Sequence, residues 1–435
     1  MQLRSIVIAL FAFAIAGCAT TTRDAGGPSV DITLTELAAG QWQLDLTFER
    51  ATRTLIFLRS EDGLFRGAWV PIGDTPRVER KGGIDAIYFP QPVTSASYLL
   101  KPKQANPVMG GFISFGGGET AIATSQFDMA MGASRRAIEN ANGDISKLRG
   151  LVLHRTLLIR SASPVFADGQ QFEAGLASFE LNEDTYVFVG GLEPQHSTYF
   201  TSLLDPHIPD AIGATFQADF ERLFAYYQEQ WGYSAETKPV VLFAYQGNEE
   251  DGSVEEPAED SGSVTWVWRR GSFAGRVAPD SSIMLLVSGD LFARNTDRNR
   301  ARIMRFFAHE VAHVYQEGWV ADLPGESAAW IPEGLAETMA FDAMRSLELD
   351  RENYVLSVYN EHMIDCAQGL KRNVLTRLDR ELHYSCGNLL GVMAGAALEN
   401  HSVYDLWNAM VFEGRASHHT KQISATIVQF PVQTS

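Results

Sequence analysis

In the stretch RFFAHEVAHVYQEGW, residues 305–319, two histidines stand four apart with a glutamate between them. On a helix, residues four apart share a face about one turn apart. His309 and His313 can therefore turn their ring nitrogens toward one point, and imidazole is a ready zinc ligand. Glu310 projects beside them and can reach a water held at that point. Ile303, Phe306, Phe307, Val311 and Val314 supply the apolar positions of such a helix. Asn295, Thr296 and Asp297 offer N-caps, and Gly318 offers a stop. Two histidines do not complete a catalytic site, because catalytic zinc usually takes three protein ligands and keeps one position open. H-E-x-x-H also arises by chance, so the surrounding residues must carry weight.

The segment AAWIPEGLAETMAF offers the third ligand. Pro332 suits the first position of a helix, and Glu333 and Glu337 stand four apart on it. Glu333 follows His313 by 20 residues. That gap lets one helix end, a loop turn, and a second helix pack against the first. Glu337, one turn deeper, is placed to accept a hydrogen bond from a ligand histidine. The bland reading makes both of them surface acids near a helix N-terminus, where acids are favoured anyway.

H-E-x-x-H followed by W-x-x-E-G-x-x-E resembles the gluzincin metallopeptidases, in particular the aminopeptidase N and leukotriene A4 hydrolase branch. The resemblance implies one Zn2+ cofactor held by His309, His313 and Glu333. It also implies Glu310 as general base in the hydrolysis of peptide bonds, with a peptide or protein as substrate. It continues in LHYSCGNLLGVMAGAALE, which is similar to that branch's Y-x-x-G segment and makes Tyr384 the donor to the oxyanion. A buried tyrosine at a helix start is the structural alternative. The implied architecture is α+β: an N-terminal β-rich sandwich-like domain, then a thermolysin-like α/β-helical catalytic domain. There are two departures. The Gly-x-Met-Glu-Asn segment that holds a free amino terminus in that branch is not found. The chain also runs only 51 residues past Tyr384, without the branch's large C-terminal helical domain. Aminopeptidase against endopeptidase preference stays open.

These residues need elements to hold them. Residues 31–203 read as strands: in GQWQLDLTFE, Trp42, Leu44, Leu46 and Phe48 alternate with polar residues, the period of a half-buried strand. Short β-branched or aromatic runs bounded by Gly, Pro, Asn and Asp continue the pattern. DMAMGASRRAIENANGD reads as one helical insert. Residues 204–435 change character. Phe216, Phe220, Leu223, Phe224 and Tyr227 share a helical face, with Gly232 as a stop. KPVVLFAYQ, VTWVWRRG and SSIMLLVSG read as strands, and the last is placed to pair with an extended peptide. GNEEDGSVEEPAEDSGS is an acidic loop without the spacing of a calcium site. From about residue 295 the text is mostly helical.

The chain has 435 residues and a formal net charge of -18, which argues against a nucleic-acid partner, since phosphate binding needs a basic surface. At the N-terminus, Arg4 precedes an apolar run from Ile6 to Ala16 and then Gly17-Cys18. This is the layout of a secretory signal, too short for a comfortable membrane span. IAGC resembles the bacterial lipobox, which implies a signal peptide over 1–17, a lipid on Cys18 and a tether over 18–30. Membrane contact is then through that lipid only. Ala19 and Thr20, not Asp, follow Cys18, and favour the outer membrane facing the periplasm. Cys366 and Cys386 remain, either as a disulfide suited to an oxidising envelope or as two buried thiols. The rival function is a non-catalytic zinc-containing envelope lipoprotein that binds a partner through its β-rich domain.

Overall fold

The computed structural model describes residues 27–38, 40–60, 66, 69–100, 111–148, 151–235, 237–246, 272–289, 296–316, 330–371, 380–397 and 402–409. The signal peptide, Cys18, most of the tether, the acidic loop, VTWVWRRG and Gly318 lie outside the described residues.

Alternation builds the first sheet. Strand Ser29–Ala38 pairs antiparallel with Gln41–Phe57, in a register that sets Leu34 opposite Leu44, Ile32 opposite Leu46 and Val30 opposite Phe48. All six are buried, because a period of two puts every second residue on the same face. Among the described residues the sheet has nine strands. Its main path runs Gly175–Glu180, His154–Ser161, Ser29–Ala38, Gln41–Phe57, Ile84–Leu100, Val70–Pro71. A second sheet, of five strands among the described residues, runs Gln170–Phe172, Val165–Ala167, Tyr186–Val189, Thr120–Ala123, Phe112–Ser114. One of its faces packs on the first sheet: Phe112, Ile122, Val187 and Val189 join Val30, Trp42 and Leu46 in one core. Its opposite face carries Ile113, Ala121, Phe166 and Phe188, which pack on the third sheet through Leu242, Ala244 and Leu286.

The third sheet is the platform for the helices. Its order is Gln195–His196, Thr201–Leu204, Val240–Gln246, Ile283–Ser288, Ser272–Val277. Covered on both faces, its central strands are near-continuous apolar runs, as burial on two sides demands. Because Thr201–Leu204 pairs parallel with Val240–Gln246, the expected boundary at 203/204 passes through a strand of this sheet. The sheet itself starts at Gln195. Composition alone does not tell which sheet an apolar strand joins. Buried Asp205 ties the units together: its Oδ2 accepts from the backbone N–H of Gly116 at 2.9 Å and of Tyr245 at 3.2 Å.

Helices among the described residues include α1 (Arg135–Ala141), α2 (Asp210–Trp231), α3 (Asp297–Gln316), α4 (Trp330–Ser346), α5 (Tyr354–Lys371) and α6 (Arg380–Ala397). In α2, Phe216, Phe220, Leu223, Phe224 and Tyr227 are buried on one stripe, and Gly232 ends the helix at φ 72°. The insert at 128–144 is not wholly helical. Met129–Met131 pairs with Gln41–Phe57 as a strand, and only Arg135–Ala141 is helix, capped by Ser134. Pro332 is not the first helical residue, since α4 begins at Trp330. A proline anywhere in the first turn loses no intrahelical bond, because those N–H groups have no partner upstream. Ile283–Ser288 is interior, paired on both sides, so it has no edge to offer a peptide. Among the described residues the edge strands of this sheet are Gln195–His196 and Ser272–Val277, and the second pairs with Ile283–Ser288. Among them, too, no helix is long and apolar enough to cross a membrane.

Candidate metal centre

Helix α3 starts where Thr296 Oγ1 accepts from the Asn299 N–H at 3.2 Å, an N-cap of the expected kind. Its apolar face, with Ile303, Phe307, Val311 and Val314, sinks into the core under the third sheet. That burial rotates His309 and His313 toward α4. His309 Nε2 and His313 Nε2 lie 3.0 Å apart, and Glu333 Oε2 lies 3.1 Å from the first and 3.3 Å from the second. Zinc bonds of about 2.0–2.1 Å in a tetrahedron set ligand atoms about 3.3 Å apart. The triangle has the edges such an ion requires. Among the described residues this is the cluster able to hold a metal.

The far side of each imidazole is occupied. His309 Nδ1 lies 3.2 Å from Glu337 Oε2, whose other oxygen takes a 2.7 Å ion pair from Arg305. His313 Nδ1 lies 2.8 Å from Gln316 Oε1. Protons on both Nδ1 atoms leave two imidazole lone pairs and a carboxylate oxygen converging on one point. Three electron-rich atoms so close repel unless a cation sits among them. Burial pushes His309 down, but Glu333 and Glu337 outweigh it and hold its pKa up at about 10. The pocket therefore calls for positive charge, which a proton or a metal cation supplies, and the donor set fits zinc.

Glu310 is buried beside this triangle without being part of it. Burial raises its pKa, against the pull of His309 and His313. Its carboxylate packs on the backbone of Gly275, where any β-carbon would collide with it. Phe273, on the same strand, stacks on Phe306 of α3 at 4.9 Å. Strand Ser272–Val277 thus forms one wall of the site. Tyr384 of α6 forms another: its ring centre is 5.5 Å from that of His309, and the charge of Glu333 reaches its hydroxyl. The residue as a whole is 39% exposed, but burial of the hydroxyl end and the charges of Glu333 and Glu310 hold its pKa well above the ordinary 10.0. It is a neutral donor.

Two glycines make this convergence possible. A β-carbon built on Gly334 would strike Gly387 and lie 2.8 Å from the Asn388 nitrogen. Backbone therefore touches backbone where α4 crosses α6. Gly334 follows Glu333, and Gly387 is three residues after Tyr384, so the glycines of E-G and of Y-x-x-G are each other's partners. Thr338 Oγ1 links the same crossing, lying 2.9 Å from the Gly334 carbonyl and 3.2 Å from that of Asn388. Cys366 and Cys386 are disulfide-bonded, with Cα atoms 4.9 Å apart, joining α5 to α6 two residues from Tyr384.

Three residues of this site escaped the sequence reading. Arg305 and Gln316 stand one turn before His309 and one turn after His313, and that helical spacing was the signal available. Gly275 carried no signal.

No family model matches the sequence, and no curated protein matches it. Solved structures do. An aminopeptidase N family protein from Idiomarina loihiensis superposes with a TM-score of 0.57 at 12% identity, over 88% of this chain and 70% of that one. In fold, this chain resembles an aminopeptidase N family protein. Native yeast leukotriene A4 hydrolase matches at a TM-score of 0.47 and 12% identity, over 94% of this chain and 65% of that one. An M1 zinc metallopeptidase from Deinococcus radiodurans matches at 0.45 and 13%, over 93% and 91%. Both scores lie below 0.5, so the fold assignment rests on the first. It carries the α+β architecture, β-rich in front and helical behind, that the zinc motif implies.

Proposed function

We propose that this chain is a zinc-dependent peptidase of the bacterial cell envelope. The observation that carries the reading is the meeting of His309 Nε2, His313 Nε2 and Glu333 Oε2 within 3.3 Å, with Glu310 buried alongside and not spent as a ligand. Zinc held there would polarise the scissile carbonyl and acidify a water. Glu310 takes the proton from the attacking water on a carboxylate oxygen and hands it to the leaving amine. Its raised pKa suits an acid that must give the proton back. Tyr384, kept protonated, donates its O–H to the oxyanion as the carbonyl becomes tetrahedral. Glu337 and Arg305 hold His309 in place. An extended peptide adds along the edge strand Ser272–Val277, which runs past Glu310.

The envelope setting is supported by the sequence around Cys18. A lipid on that residue would anchor the chain, with Ala19 and Thr20 favouring the outer membrane and its periplasmic face. The buried base beside the ligands favours catalysis over a structural zinc site, which needs no such residue.

The test is elemental analysis and turnover together. Wild type is expected to carry about one zinc per chain, and His313→Ala to lose it. Glu310→Gln is expected to keep zinc and lose hydrolysis of a peptide library. Wild type with no zinc after incubation with stoichiometric metal, or an active Glu310→Gln, would sink the proposal.

A further inference from the structure

We infer that Gln316 is a positioning residue: it fixes the proton of His313 on Nδ1 and so keeps the Nε2 lone pair aimed at the metal point. The inference rests on the zinc reading above and concerns a side chain that takes no part in ligation.

Gln316 is the last residue of α3 and is 0% exposed. Its amide spans two helices. Nε2 donates to the Pro332 carbonyl of α4 at 3.3 Å, and Oε1 lies 2.8 Å from His313 Nδ1. The two ends of an amide look alike by shape and are told apart by their partners. Here the partners decide. A carbonyl oxygen only accepts, so the nitrogen of Gln316 must face Pro332 and its oxygen must face His313. That oxygen also only accepts. The ring nitrogen opposite it must donate, and in a neutral imidazole the other nitrogen is then bare. The orientation thus propagates from the backbone of α4, through one buried side chain, to the lone pair on His313.

The same side chain sets position as well as protonation. Pro332 immediately precedes Glu333, so Gln316 clamps the turn of α4 that carries the third ligand to the turn of α3 that carries the second. On the other histidine, Glu337 does the equivalent work with a charge. Gln316 does it without one, because its amide nitrogen is needed for Pro332. Without an acceptor at residue 316, His313 can place its proton on Nε2 or turn its ring over. Either change puts an N–H or a C–H where the ion must sit.

The experiment is a chelator-competition titration of zinc on the full chain, comparing wild type, Gln316→Leu and Gln316→Glu. Leucine keeps the volume and removes both hydrogen bonds; glutamate keeps the acceptor facing His313 and gives up the N–H to the Pro332 carbonyl. Gln316→Leu is expected to bind zinc roughly 10–100-fold more weakly, and Gln316→Glu, which keeps the acceptor but loses the clamp, to fall between Gln316→Leu and wild type. A Gln316→Leu chain that binds as tightly as wild type, or a Gln316→Glu chain as weak as Gln316→Leu, overturns the inference. Should Gln316→Leu lose its fold by circular dichroism, the zinc-loaded wild type decides. Its long-range 1H–15N spectrum, with His313 assigned by His313→Ala, should show Nδ1 protonated and Nε2 as ligand. Coordination through Nδ1 overturns the inference alone. A wild type that binds no zinc overturns the zinc reading, and this inference with it.

Discussion

Replacing Gly334 by alanine tests whether the backbone contact between α4 and α6 sets the site. The added carbon would lie 2.8 Å from the Asn388 nitrogen, and ordinary contact begins at 3.4 Å. That atom alone must retreat by about 0.6 Å, and Gly387, nearer still, by more. Both obstacles are helix backbone, which cannot turn aside as a side chain can, so the helices must part. Overpacking of this kind costs roughly 1–3 kcal/mol, read as the shift in the urea midpoint at constant slope. Parting the helices also carries Tyr384 away from Glu333. A misplacement approaching 1 Å costs up to about a hundredfold in rate, so turnover should fall roughly ten- to a hundredfold while zinc content holds. A Gly334→Ala chain with unchanged urea midpoint and unchanged turnover would refute the close crossing. Lost stability with full turnover would refute the placement of Tyr384 by it.

Two further outcomes follow from buried groups. Burial pushes Glu337 up, but Arg305 and His309 outweigh it and pull its pKa from the ordinary 4.5 to about 2. Because the folded value is the lower one, the stabilisation is full above pH 4.5 and drains away as pH falls toward 2. The shift corresponds to about 3 kcal/mol, so Glu337→Gln should lose about that much at pH 7 in urea unfolding. The gap to wild type should close on acidification; a gap that stays constant with pH would remove the linkage. The Cys366–Cys386 bond closes a span of 20 residues, which on loop entropy is worth about 3 kcal/mol. The double serine variant should unfold at correspondingly lower urea, and an unchanged midpoint would leave the bond without a stabilising role.

Local spacing made the ligand set legible. Histidines four apart must share a helix face, and a Pro-Glu-Gly start on the next helix must present Glu333 near its N-terminus, whatever the rest of the chain does. The same holds for strand alternation at Trp42, Leu44, Leu46 and Phe48 and for the aromatic stripe of α2, because periods of 2.0 and 3.6 are properties of the backbone. The insert after Asp128 misread for a local reason too: Met129–Met131 and Arg135–Ala141 are both short, and short apolar runs suit either state.

What the tertiary structure alone decided is which element meets which. That Ile283–Ser288 is interior and Ser272–Val277 at an edge depends on pairing order, which no local period encodes. That Gly334 rests on Gly387, that Gly275 yields room to Glu310, and that Gln316 reaches the Pro332 carbonyl are contacts between residues far apart in sequence. Their glycines and amides carry no pattern of their own. They take on meaning only when packing brings a second backbone to within hydrogen-bond or van der Waals range, and at that range a single β-carbon or a single proton settles whether the three ligand atoms can face one ion.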